Sequence, residues 1–265
     1  FCPAADFEKA LPNFDVFLWA GATGLSDYPE MACGLLERAQ QHHLKTVVWN
    51  VGMNHVLNPS FYEIRGRKLM LCNILQRMTG VNLKAGWESA RINSTRKKIA
   101  KILDKCDLVV LRDKDSLDEL RRCAAFPEAL YGADSALLQT SSEQELPWPD
   151  ASEKNIFMTA PQRLGLCISA QNPLQRQENF AQWLDNLHEH HEELLTVMIP
   201  MNPVTDHTLM KNLQKSLKHP ERTLLVSFKE PEEVQKITES CSLIISSRLH
   251  LMILGLNRLV PGIGI

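Results

Sequence analysis

No basic block and no basic stripe interleaved with aromatics appears anywhere in this chain. Lys and Arg number 29 against 31 Asp and Glu, a formal net charge of −2, and that balance gives no case for a nucleic-acid binder. No apolar run reaches the roughly 18 residues of a transmembrane helix, and no signal peptide is visible. The seven cysteines, Cys2, Cys33, Cys72, Cys106, Cys123, Cys167 and Cys241, include no C-x-x-C pair. An odd, dispersed set reads as reduced thiols packed mostly as small hydrophobes, so the expected compartment is the cytoplasm. There is no H-E-x-x-H either. His188-Glu189-His190-His191 ends a helical pattern and runs into Glu192-Glu193, which reads as a solvated helix face; no metal site is expected.

What is present is ordinary globular composition, 44% hydrophobic and 23% charged over 265 residues. That length supports a sizeable core, in one large domain or two of roughly 120 residues each. The chain opens on Phe1 and stops on an apolar strand, so truncation at both ends is the expectation.

The alternation of strand and helix favours two domains. Residues 14–19 read as a buried strand, followed by the small-residue turn Ala20-Gly21-Ala22-Thr23-Gly24. Asp27-Tyr28-Pro29-Glu30 looks like a capped helix start, with Pro at the first helical position and Glu three residues after Asp. The strand at 46–51 completes a βαβ crossover. Residues 54–62 read as a loop over the strand ends, 67–78 and 89–106 as helices, and 107–111 as a strand running into Arg112-Asp113. Ser116 and Glu119 offer a capping box for the next helix, and a short extended element lies within 129–138. Residues 140–162 turn to Ser, Glu and Pro, the composition of a hinge. Strands are then expected at 164–169, 194–199, 223–228, 243–245 and 259–265, with helices near 178–190, 206–218 and 231–241. The fold class is α/β, with two Rossmann-like domains, residues 1–145 and 160–265, facing a cleft.

Leu243–Ile265 reads LIISSRLHLMILGLNRLVPGIGI: strand, polar turn, helix, strand. In open α/β sheets ligands sit beyond the carboxyl ends of strands, near helix N-termini. Arg248, which can fork onto a carboxylate or phosphate, falls there with His250, the side chain best suited to proton transfer near neutral pH. On one regular helix the two would point about 200° apart. Convergence therefore requires Arg248 to lie in the turn, with the helix beginning near Leu249. Arg112 also leaves a strand end, where its plainest role is an ion pair with Asp113 or Asp115. Asp27 reads first as an N-cap, Asp134 as structural, and Gly21 to Gly24 as a generic small turn.

Four stretches together resemble the polysaccharide pyruvyl transferase family: FDVFLWAGATGLSDYPE, TVVWNVG, LVVLRDKDSLDELRR with GADSALL after it, and the segment from Leu243 onward. They span most of residues 14–265, and the R-D-x-x-S and S-R-L-H segments are the specific part. The resemblance implies a fold like that of two-Rossmann, GT-B-like glycosyltransferases. It implies transfer of a pyruvyl group from phosphoenolpyruvate to two sugar hydroxyls, forming a cyclic ketal in polysaccharide biosynthesis. By the same likeness His250 is the expected catalytic residue, Arg112 and Arg248 bind the donor, and Asp27, Gly21 and Ser247 are secondary candidates. Family members usually carry a run of glycines where this chain has Ala20-Gly21-Ala22. The implied partners are phosphoenolpyruvate and a saccharide acceptor, with no cofactor or metal required. Whether the acceptor is lipid-linked, and with it peripheral association with a membrane, stays open. Two other classes stay open too: a GT-B-type glycosyltransferase or sugar-nucleotide epimerase, and a non-catalytic anion- or sugar-binding relative.

Overall fold

Every strand pairing among the described residues is parallel. The computed structural model describes residues 7–27, 29–53, 62–122, 129–170, 177–227 and 230–265. They fall into two compact units, Phe1–Ser135 and Ala136–Ile265. The first sheet holds β1 (Val16–Ala20), β2 (Lys45–Val51), β3 (Leu108–Leu111) and β4 (Leu130–Tyr131), in the order β1-β2-β3-β4. The second holds β5 (Gln162–Cys167), β6 (Leu194–Met198), β7 (Thr223–Leu225), β8 (Leu243–Ser246) and β9 (Gly262–Gly264), in the order β7-β6-β5-β8-β9. Parallel neighbours need a crossover between them, and helices supply it. The first unit carries α1 (Phe7–Ala10), α2 (Gly24–Asp27), α3 (Pro29–Gln41), α4 (Arg67–Thr79), α5 (Leu83–Leu103) and α6 (Lys114–Arg121). The second carries α7 (Ala151–Thr159), α8 (Gln177–His190), α9 (Thr205–Ser216), α10 (Pro231–Glu239) and α11 (Leu249–Asn257). Each unit is a Rossmann-like α/β layer.

Strands β5, β6 and β8 are buried along nearly all their length, which is why they read as largely apolar. Leu166, Met198, Ile237, Ile244 and Leu251 anchor that unit's core, while Leu36, Val48, Ile99, Leu103 and Leu111 anchor the other. The strand order has a functional consequence. Winding runs from β5 through β6 to β7 on one side and through β8 to β9 on the other. It reverses between β5 and β8, and a crevice beyond their carboxyl ends is where such sheets take ligands.

Beside β1, whose residues alternate between exposed and half-buried where a buried strand is expected, three local expectations need correction. The cap of α6 is Asp113, whose carboxylate accepts the Ser116 N–H at 2.8 Å. Ser116 is instead buried, its hydroxyl accepting the Met53 N–H at 2.7 Å, and Glu119 is buried against Arg96. The hinge-like stretch 140–162 contains α7, capped by Asp150 at 2.8 Å from the Glu153 N–H. Its Phe157 ring packs 4.9 Å from Trp148 and lies under the Arg163 guanidinium. Ser142 N–H also donates to Glu232 O, so this stretch packs on the second unit. The loop expected at 54–62 lies, but for Tyr62, outside the described residues, as do Phe228, Cys2 and Cys123. The other five cysteines are free, and burial pushes the thiols of Cys33 and Cys167 up to about 11 and that of Cys241 to about 12.

The third correction is His188, which is no part of a solvated face. Ala181, Leu184, Asp185 and His188 form the buried stripe of α8, and the imidazole Nε2 lies 2.9 Å from Thr196 Oγ1. Burial, reinforced by the Arg222 charge, holds its pKa below the ordinary 6.5. The unfolded chain then binds the proton more readily than the native one. Stability from this group is therefore complete above about pH 6.5 and falls as pH drops below it. Urea midpoints across about pH 5 to 8 should decline on the acid side. His188→Gln should flatten that limb; an unchanged limb would place its origin elsewhere.

Candidate functional site

The turn after β8 is built by its own serines. Ser246 Oγ accepts the Arg248 N–H and donates to the Arg248 carbonyl, both at 2.9 Å, a local clasp that keeps the chain out of helix. Ser247 spans the switch point: its N–H donates to Cys167 O at 3.0 Å and its Oγ accepts the Ser169 N–H at 2.7 Å. Arg248 is extended (φ −108°, ψ 120°) and precedes the first residue of α11. The geometric requirement set above is met: Arg248 lies in the turn, and His250, exposed, stands in the first turn of the helix.

Arg248 is held by a residue that the sequence did not single out. Its Nε donates to Asp206 Oδ2 at 3.0 Å and its Nη2 to Asp206 Oδ1 at 2.8 Å, a two-pronged pair. Asp206 is fully buried and also accepts N–H groups from Ala170 at 2.9 Å and Asn202 at 3.0 Å. Four donors saturate the carboxylate. Burial pushes the Asp206 pKa up, but the bonds from Arg248 and the two amides outweigh it and hold the group below the usual carboxylate range. The bond to Asp206 raises the Arg248 pKa in turn. One ion pair thus ties together the segments that leave β5, β6 and β8. In sequence Asp206 is only an acid in the first turn of a helix, a common preference that marks no site.

The first unit builds a comparable edge. Arg112 follows β3, and its Nε donates to Asp113 Oδ2 at 3.1 Å while its Nη1 lies 3.8 Å from Asp134 Oδ2. Its guanidinium rests on Gly52, where a Cβ would come within 2.6 Å of Cζ. Gly52 N–H donates to Ala22 O at 2.8 Å, and Gly21 N–H to Trp49 O at 2.9 Å, so the turn after β1 lies beside the end of β2. Gly21 and Ala22 both take positive φ, 70° and 62°. For Ala22 that is a conformation glycine adopts with less strain. Asp27 accepts hydrogen bonds from the hydroxyls of Thr23 and Ser26 at the end of α2. Gly21, Arg112 and Asp134 therefore share one sheet edge, and Ser247, Arg248 and His250 share another. Among the described residues no group of three or more His, Cys, Asp or Glu side chains is arranged to hold a metal ion.

Two outcomes follow from these contacts. Arg248→Ala leaves the Asp206 charge buried and unpaired, and should cost about 3–5 kcal/mol in urea unfolding. A joint Arg248→Met, Asp206→Leu replacement should recover much of that loss; equal losses in the single and joint variants would deny the pair its role. Gly52→Ala should change stability by less than about 1 kcal/mol, because a guanidinium can swing aside. Its crystal structure should show Arg112 displaced from the strand edge, and an unmoved Arg112 would contradict the contact.

The model of the polysaccharide pyruvyl transferase family matches residues 4–265. No curated protein shows a significant match to the chain. Solved structures similar in fold include a putative UDP-N-acetylglucosamine 2-epimerase from Listeria monocytogenes (TM-score 0.59, 11% identity, 98% of this chain and 59% of that one). They also include a co-structure of S. aureus MnaA with UDP (0.56, 11%, 93% and 57%) and the UDP-GlcNAc 2-epimerase of Methanocaldococcus jannaschii (0.52, 14%, 98% and 64%). The chain spans less than two thirds of the length of each of these structures. Likeness at such identities establishes the GT-B-like fold and nothing finer. The family match is of a different order, running nearly end to end and taking in both strand-edge arginines: the chain belongs to the polysaccharide pyruvyl transferase family.

Proposed function

We propose that this protein transfers a pyruvyl group from phosphoenolpyruvate to two hydroxyls of a saccharide, closing a cyclic ketal and releasing phosphate. The family match supports the reaction class, and the observation that carries the assignment of residues is the turn after β8. There an extended Arg248 and a helical His250 leave the same strand end at the sheet's switch point. The donor carries a phosphate and a carboxylate, and we assign Arg112 and Arg248 to those anionic groups. Arg248 enters this role with its orientation fixed by Asp206. Asp27, Gly21 and Ser247 remain secondary: their hydrogen bonds shape the turns that carry the site.

In the reaction the methylene carbon of the enol takes a proton while a sugar oxygen attacks the neighbouring carbon. Phosphate leaves, and the second hydroxyl closes the ring. Of the two hydroxyl protons one is balanced by the new methyl group, and the other departs with phosphate. His250 serves as the acid toward carbon or the base toward a hydroxyl. This chemistry proceeds through the chain's own side chains. A nucleotide-sugar ligand is the competing reading, since the fold is shared with UDP-GlcNAc 2-epimerases. Thermal stabilisation by a nucleotide sugar, with no response to phosphoenolpyruvate, would favour it.

His250→Ala should lower kcat for phosphate release by about 10²- to 10⁴-fold while donor affinity moves little. Because His250 is exposed, its melting temperature should hold. A variant that folds normally and turns over within a few-fold of the parent would remove His250 from the mechanism.

A further inference from the structure

Helix α4 is built inside out. Its inner stripe is Leu69, Cys72 and Gln76, and only Cys72 is fully buried. Its large apolar side chains face solvent: Met70 is 63% exposed, Leu71 57%, Ile74 43%, Leu75 44% and Met78 78%. At 100° per residue these five span an arc of about 140°, as wide as the face a globular helix normally turns to its core. The charge around them has one sign. From Ile64 to Trp87 the chain carries Arg65, Arg67, Lys68, Arg77 and Lys84 and no Asp or Glu. Arg65 and Lys84 pair with Glu63 and Glu88 at the margins. Arg67, Lys68 and Arg77 have no carboxylate partner among the described residues.

We infer that α4 docks this protein, apolar arc first, onto an anionic membrane surface. An apolar arc with Lys68 and Arg77 along its two margins and Arg67 at its N-terminal end is the pattern of a helix that lies in the bilayer interface, with its side chains in the acyl boundary and its cations among the headgroups. A second copy of the chain fits less well. A twofold contact over the arc would bring the cations of the two copies, Arg67, Lys68 and Arg77, against one another. A nucleic acid would use the cations and leave the apolar arc in water. Thirteen residues of helix rise only about 20 Å, short of a bilayer core, so α4 lies on the membrane and does not cross it. Among the described residues no helix is long and apolar enough to span one. The inference stands apart from the pyruvyl chemistry, since it concerns where the protein sits.

Vesicle sedimentation of the full chain tests it, with phosphatidylcholine vesicles compared against the same vesicles containing phosphatidylglycerol. The chain should bind the anionic vesicles at least tenfold more tightly, and added salt should weaken that binding. Arg67→Gln with Lys68→Gln should reduce partitioning roughly 10- to 30-fold, at about fivefold for each cation lost. Leu71→Ser with Ile74→Ser should reduce it by at least tenfold. Both pairs replace exposed side chains, so melting temperatures should match the parent, and if one pair unfolds the other still decides. Failure to bind anionic vesicles, or binding that both variants retain, would overturn the inference. So would light scattering that shows a dimer which the Leu71→Ser, Ile74→Ser pair converts to monomer.

Discussion

A carboxylate with no exposure to water holds the second unit's ligand edge together. Asp206 can stay charged in that position because Arg248 grips both of its oxygens and two backbone amides supply the remaining bonds. A buried ion pair contributes little net stability against an apolar replacement, since desolvation offsets most of the attraction. Its value here is geometric. The pair fixes the guanidinium against the segments that leave β5, β6 and β8, and β5 and β8 are the strands between which the sheet reverses its winding. Ser247 closes the same gap by bonding across from the turn to Cys167 and Ser169. A polar turn at a sheet edge becomes a fixed platform, with His250 set on the helix that springs from it.

The first unit reaches a similar end by a different route. Arg112 is held by two acids, Asp113 and Asp134, and its guanidinium lies against Gly52. Asp113 serves twice, as partner to Arg112 and as cap of α6. Burial raises its pKa, while the hydrogen bonds of Ser116 and then Arg112 outweigh this and hold it below the ordinary carboxylate range. The neighbouring turn at Gly21 and Ala22 is tied to the same edge through Gly52. Both arginines thus follow parallel strands, where the chain must leave the sheet and side chains are released from packing.

Helix α4 shows how far a local pattern can mislead. Its period is helical, and the sequence places it well. A helical period alone, however, only says that one face is apolar; it does not say which way that face turns. Burial of Cys72 and exposure of Met70, Ile74 and Met78 decide the orientation, and they reverse the usual one.

The sequence by itself determined the α/β class, almost every strand and helix, and the placement of Arg112, Arg248 and His250 at strand ends. These are properties of short segments: apolar runs, a 3.6-residue period, and turn residues that compete with helix. Tertiary structure alone decided the rest. Arg248 finds Asp206 across 42 positions, and Ser247 meets Ser169 across 78. His188 is buried because of the helix face it occupies, and Ser116 lies inside α6, whose cap is Asp113. The hinge-like stretch hid a packed helix, because Phe157 is the one buried residue of α7 and a single apolar anchor leaves no helical period to read. A partner distant along the chain leaves no mark on local propensity, and only the packed fold shows which charges meet.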